Sequence, residues 1–80
     1  MAGKVTRLVA AFNTTTAAIS MERECKAAQL EGRLIPVPRQ ISSSCGLAWM
    51  APLSARESLE ALCAEKGIET AGWYEIEFNS

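Results

Sequence analysis

Three cysteines and no histidine limit the chemistry open to this chain. Cys25, Cys45 and Cys63 are too widely spaced for a CxxC redox or zinc motif. Without histidine, Ser-His-Asp and Cys-His catalysis within one chain is excluded, and the commonest metal ligand is missing. What remains is thiol chemistry, and Cys45 is the residue placed for it. It ends the run Pro36-Val37-Pro38-Arg39-Gln40-Ile41-Ser42-Ser43-Ser44-Cys45, and Gly46 follows. Prolines fix φ and remove a donor, so strand pairing should stop near Pro38. Serines bond their own backbone and favour turns. Gly46 frees the chain just after the cysteine. The run therefore predicts Cys45 on a loop tip, as a nucleophilic thiol beside Arg39, Ser43 and Ser44. Cys25 and Cys63 sit instead on apolar helical stripes, where a free cysteine behaves as a small hydrophobe.

Positioning that loop needs a scaffold, and the rest of the chain predicts one. Lys4 to Phe12 is rich in Val, Leu and Ala with apolar residues on both faces, as in an interior strand. Thr14, Thr15 and Thr16 offer N-caps for a helix from about Thr15 to Leu30. Ala18, Met21, Cys25 and Ala28 make its buried stripe, and Gly32 supplies a stop. Arg33 to Val37 reads as an edge strand because of its prolines. Gly46 to Ala51 reads as a third strand, ended by Pro52. Ser54-Ala55-Arg56-Glu57 matches a capping box and opens a second helix that Gly67 stops. Ala55, Leu59, Leu62 and Cys63 make that helix's apolar stripe. Ile68 to Phe78 is the last strand, with Tyr74, Ile76 and Phe78 on one face and Glu69, Trp73, Glu75 and Glu77 on the other.

The order β-α-β-β-α-β predicts an α+β fold over residues 1–80 as one domain. Its form is a ferredoxin-like sandwich, a four-stranded antiparallel sheet with two helices on one face. In that topology the third strand inserts between the first two. Cys45 then lies at the same end as Thr14 and Thr15. A helix N-terminus presents free amides and a positive dipole end, which favour an anion and should lower the thiol pKa. The expected anion site is Arg39, Ser43, Ser44, Gly46, Thr14 and Thr15 around Cys45. Trp49 and Trp73 are expected either as one core and one half-exposed residue, or on the sheet face the helices leave open, as a dimer or partner surface.

Composition removes other function classes. A chain of 80 residues buries roughly 60% of its unfolded surface, enough for one core. Its hydrophobic content of 49% is that of a globular protein. The net charge of −1, from 8 basic and 9 acidic residues, gives no basic face for nucleic acid. No apolar run approaches the roughly 20 residues of a membrane helix. The short run Leu8 to Phe12 after Lys4 and Arg7 turns polar at Asn13, so it reads as a strand rather than a leader. A cytoplasmic protein with no cofactor and no metal is expected. A thiol-disulfide enzyme is disfavoured because Cys45 has no CxxC partner.

With these residues in view, the chain resembles a family of small bacterial and archaeal domains of unknown function, the selenium/sulfur carrier protein-like family. The resemblance rests on Phe12 ending the first strand, Thr14 and Thr15 at the helix start, and Ala18 and Glu22 within that helix. It continues through Ile35, Pro36, Pro38 and Arg39 to Ser43, Ser44, Cys45 and Gly46. Gln40 stands where the family usually has an acidic residue, and the Cys-Pro-x-Pro motif of related carriers is absent. The resemblance implies a non-enzymatic carrier, with Cys45 holding sulfur or selenium as a persulfide or selenosulfide. It implies a cysteine desulfurase-like donor and a biosynthetic acceptor as partners. The rival expectation is a regulatory or assembly module, a homodimer in one form, in which Cys45 is structural.

Overall fold

β1 (Lys4–Ala11) is apolar on both faces, and both are buried in the computed structural model, which describes residues 3–41 and 45–79. It pairs antiparallel with β3 (Leu47–Pro52) on one side and β4 (Gly72–Asn79) on the other. β2 (Arg33–Pro36) pairs antiparallel with β3, so the strand order is β2-β3-β1-β4. This is the ferredoxin-like α+β sandwich the element order predicts, with β2 at the expected edge.

α1 (Thr15–Ala28) and α2 (Arg56–Lys66) cover one face of the sheet. Leu8, Ala10, Phe12, Trp49 and Ala51 from the sheet meet Ala18, Met21, Cys25, Leu59 and Cys63 from the helices in one core. Fully burying a side chain such as Leu8 contributes about 1.5–3 kcal/mol. The alternate residues of the same strands, Val9, Ala11, Ala48 and Ile76, form a second cluster with Ile41 on the helix-free face. Ile35, Val37, Met50, Tyr74 and Phe78 pack around it.

The structure corrects several expectations. Trp49 and Trp73 are not on the open face. Trp49, only 2% exposed, is a core residue and Trp73 is half-buried against the same helix-side core, which is the simpler of the two expectations. Period-two alternation separates the faces of a strand but cannot say which face the helices cover when both are apolar. α1 stops before Gly32: Gln29 takes the left-handed conformation at φ 59°, and the Leu30 N–H donates to the Cys25 carbonyl at 2.9 Å. Gly32 serves another purpose. A Cβ there would collide with the Trp49 indole and lie 2.7 Å from the Met50 carbonyl oxygen.

The Ser54 capping box does not form. Pro52 leads into a 3-10 turn over Leu53–Ala55, so Ser54 lies inside that turn and α2 begins without a side-chain cap. Gly67 ends α2 in the left-handed region at φ 68°, as predicted. The chain from Ile68 to Ala71 turns before β4 starts at Gly72, which shortens the predicted last strand. Its acidic row is on the helix side, where Glu75 comes within 4.0 Å of the Arg56 guanidinium.

Candidate thiol site

Cys45 is placed by two hydrogen-bonded constraints. The Val37 N–H donates to the Gly46 carbonyl at 3.0 Å, which ties the residue after the cysteine to the end of β2. Gly46 lies in the left-handed region at φ 74°, a conformation that costs other residues roughly 1–2 kcal/mol. That bend turns Leu47 back toward the thiol. The Leu47 N–H donates to Sγ at 3.3 Å, and Sγ lies 3.4 Å from the Leu47 carbonyl oxygen, to which a protonated thiol donates.

Cys45 is therefore not at a loop tip. It is half-buried at the foot of β3, packed against the helix-side core. Loop composition gave the backbone its turn, but it carries no information about where the sulfur packs. Arg39 and Gln40, both exposed, lie in a turn closed by the Ile41 N–H donating to the Pro38 carbonyl at 3.0 Å. Ile41 then inserts against Val9, Ala11 and Ala48 on the helix-free face. The expectations for Ser43 and Ser44 lie outside the described residues.

Thr14 caps α1 as predicted. Its backbone is extended at φ −135° and ψ 150°, and its hydroxyl accepts from the Ala17 N–H at 3.1 Å. That bond uses one of the first-turn amides an anion would need. The register puts this helix start and Cys45 at one end of the sheet, since Ala11 opposes Ala48 and Pro36 opposes Leu47. Yet the cleft beside Thr14, about 190 Å³, opens toward Lys66, Gly67 and Glu69, and Cys45 does not line it. Thr15 is exposed in the first turn, and Arg39 has no ion pair among the described residues.

All three thiols are free, but the other two differ from Cys45 in setting. Cys25 and Cys63 are buried between α1 and α2, with the Cys63 Sγ 4.0 Å from the Met21 Sδ. Burial, Cys63 and Glu24 push the Cys25 thiol up to about 11. Burial and Glu60 push Cys63 up as well. Both stay protonated and inert at neutral pH. Among the described residues, no group of three or more Cys, Asp or Glu is placed to hold a metal ion.

Residues 7–75 match the family model described as "Putative Se/S carrier protein-like". The chain belongs to this family. The match runs from within β1 to within β4 and spans the Cys45 loop. No curated protein and no solved structure matches the chain. No helix among the described residues is long and apolar enough to cross a membrane.

Sequence reasoning missed two residues that shape the surroundings of Cys45 in this member of the Se/S carrier protein-like family. Leu47 acts through its backbone, which leaves no mark in residue type. Ile41 did leave one: it is the single large apolar residue between Pro38 and Cys45.

Proposed function

We propose that this chain carries sulfur or selenium on Cys45 and hands it to a biosynthetic acceptor, with no turnover of its own. The observation that supports this most is the contrast among the thiols. Cys25 and Cys63 are sealed between the helices, while Cys45 keeps solvent access and receives a backbone N–H on its sulfur. Solvent access is what a nucleophilic thiol needs to meet a donor and an acceptor.

In loading, the Cys45 thiolate attacks the outer sulfur of a persulfide on a cysteine desulfurase-like donor. The Sγ–S bond forms, the donor's S–S bond breaks, and the donor cysteine leaves as a thiolate. In delivery, an acceptor nucleophile attacks that outer sulfur and Cys45 leaves as a thiolate again. A selenosulfide follows the same course with selenium outermost. Gly46 keeps the Leu47 N–H on the sulfur. In this proposal the positive charge of Arg39 and the helix start at Thr14 and Thr15 favour an anion at this end of the sheet. A cytoplasmic setting supplies the reducing conditions that keep the unloaded thiol free.

A second reading has one observation in its favour. Cys45 is half-buried and bonded to its own backbone, as a structural cysteine in an assembly module would be. Intact-mass spectrometry separates the two after incubation with a desulfurase and cysteine. A carrier gains the mass of one sulfur on the wild-type chain, loses it to a reductant, and gains nothing in Cys45→Ala. A structural cysteine gives no gain in either protein.

A further inference from the structure

The helix-free face of the sheet holds a second feature, at the end away from Cys45. A cleft of about 240 Å³ is lined by Val5, Arg7, Arg33, Met50, Phe78 and Asn79. The register explains why these residues converge. Val5 opposes Phe78, and Met50 opposes both Val9 and Arg33. Arg7 opposes Ile76. Directly opposed residues share a face, and Val9 and Ile76 fix that face as the one without helices. The two arginines therefore stand on either side of β3, over a floor of Val5, Met50 and Phe78.

Among the described residues, neither Arg7 nor Arg33 has a carboxylate within 4.0 Å, which is true also of Lys4, Lys26 and Arg39, but only Arg7 and Arg33 share a cleft. Glu31 lines the adjoining depression with both arginines but pairs with neither. Two unneutralised guanidiniums in one cleft of a chain with net charge −1 are a local concentration of positive charge. A guanidinium fork matches the oxygens of a carboxylate or phosphate. An apolar floor with a few convergent polar groups is the usual make-up of a ligand pocket. At about 240 Å³ the cleft falls just below the roughly 300–1,000 Å³ of drug-sized sites, which fits a small ligand.

We propose that this cleft binds a small organic anion, its phosphate or carboxylate held between Arg7 and Arg33 and its apolar body lying on Val5, Met50 and Phe78. The site is independent of Cys45. β1 runs from Arg7 at the cleft to Ala11 at the thiol end.

The test is a titration of the ¹⁵N-labelled chain with phenyl phosphate, benzoate and neutral benzyl alcohol at fixed ionic strength. Saturable amide shifts centred on Arg33, Met50 and Phe78 are expected with an anion and not with the alcohol. Binding of phenyl phosphate alone assigns a dianionic head, and binding of benzoate alone a carboxylate. Arg7→Gln and Arg33→Gln should each weaken binding about tenfold or more, since each removes a charge-assisted hydrogen bond to the anion. Arg7→Lys and Arg33→Lys, which keep the charge and lose the fork, should fall between. Circular dichroism checks that every variant is folded. No saturable shift with either anion, equal shifts with benzyl alcohol, or unchanged affinity in both folded Gln variants overturns the proposal.

Discussion

Ile41 and Cys45 stand on either side of three serines, and they pack on opposite faces of the same sheet. Ile41 is 5% exposed against Val9, Ala11 and Ala48, while Cys45 rests on the helix-side core. The described residues flanking that segment therefore give the loop one apolar anchor on each face.

Ile41→Ala should remove the anchor on the helix-free face. A truncation of this kind costs about 2–5 kcal/mol, and Ile41→Val about 0.5–1.5 kcal/mol. Urea unfolding measures both. Hydrogen exchange at Val37 and Leu47 should speed up in Ile41→Ala by more than the global loss explains. Exchange that follows only the global loss would show that Ile41 does not hold the loop.

Gly46→Ala tests the geometry at the sulfur. Nothing lies within 4 Å of a Cβ at this position, so the substitution meets strain from φ 74° and no collision. The expected loss is roughly 1–2 kcal/mol. The Leu47 amide should also move away from Sγ, read as a change in native-state alkylation rate of Cys45. In the native wild type, iodoacetamide should modify Cys45 alone. Cys25 and Cys63 should react only after unfolding. Mass mapping of the alkylated peptides decides it.

Alkaline pH should weaken the fold through Cys25. Its thiol is held up to about 11 in the native state, against ~8.5 in an unfolded chain. Below the unfolded value both states are protonated, and the stability is fully present. As pH rises from there toward 11, the unfolded chain releases its proton first, so stability falls. The loss is on the order of 2 kcal/mol, to which Cys63 adds in the same direction. Urea midpoints at pH 8 and pH 10.5 should differ more in the wild type than in Cys25→Ala. An equal difference in both would remove Cys25 as the cause.

Gly32 and Trp49 should be coupled. Gly32→Ala meets both the collision with the indole and a backbone held at φ 137°, a region that costs other residues about 1–3 kcal/mol. The buried indole Nε1 has no hydrogen-bond partner among the described residues. Trp49→Phe therefore loses packing without losing a hydrogen bond, and should cost less than the about 3–5 kcal/mol of a truncation to Ala. In the double variant Gly32→Ala/Trp49→Phe, the smaller ring relieves the collision with the indole, while the approach to the Met50 carbonyl and the backbone strain remain. Its cost should be less than the sum of the singles, and additivity would show that the two residues do not interact.

These residues also show how far the sequence reads. Element order was legible because its signals are local: β1 apolar on both faces, the Thr14 cap, the Gly67 stop. Ser54 and Gly32 carry equally local signals that other constraints overrode, Pro52 setting the 3-10 turn and Trp49 claiming the space at Gly32. The cysteine loop was legible as a loop with its thiol at one end of the sheet. The burial of Cys45 and the Leu47 amide at its sulfur were not, since both depend on contacts that residue types do not encode. The Arg7 and Arg33 cleft was hidden for the same reason. The two are brought together by the pairing of three strands, and neither lies in a charged run.

The pairing of β1 with β4 has a consequence for synthesis. Lys4 opposes Asn79 and Ala11 opposes Gly72, so an interior strand is made about 60 residues before one of its two partners. A ribosome-bound chain that ends before β4 leaves the edge of β1 open, with Val9 and Ala11 short of the Tyr74 and Ile76 that help bury them. Such long-range pairing slows folding and exposes strand edges while it waits. The domain therefore closes only once β4 has left the exit tunnel, and a chain stalled before that point is a natural target for chaperones and proteases.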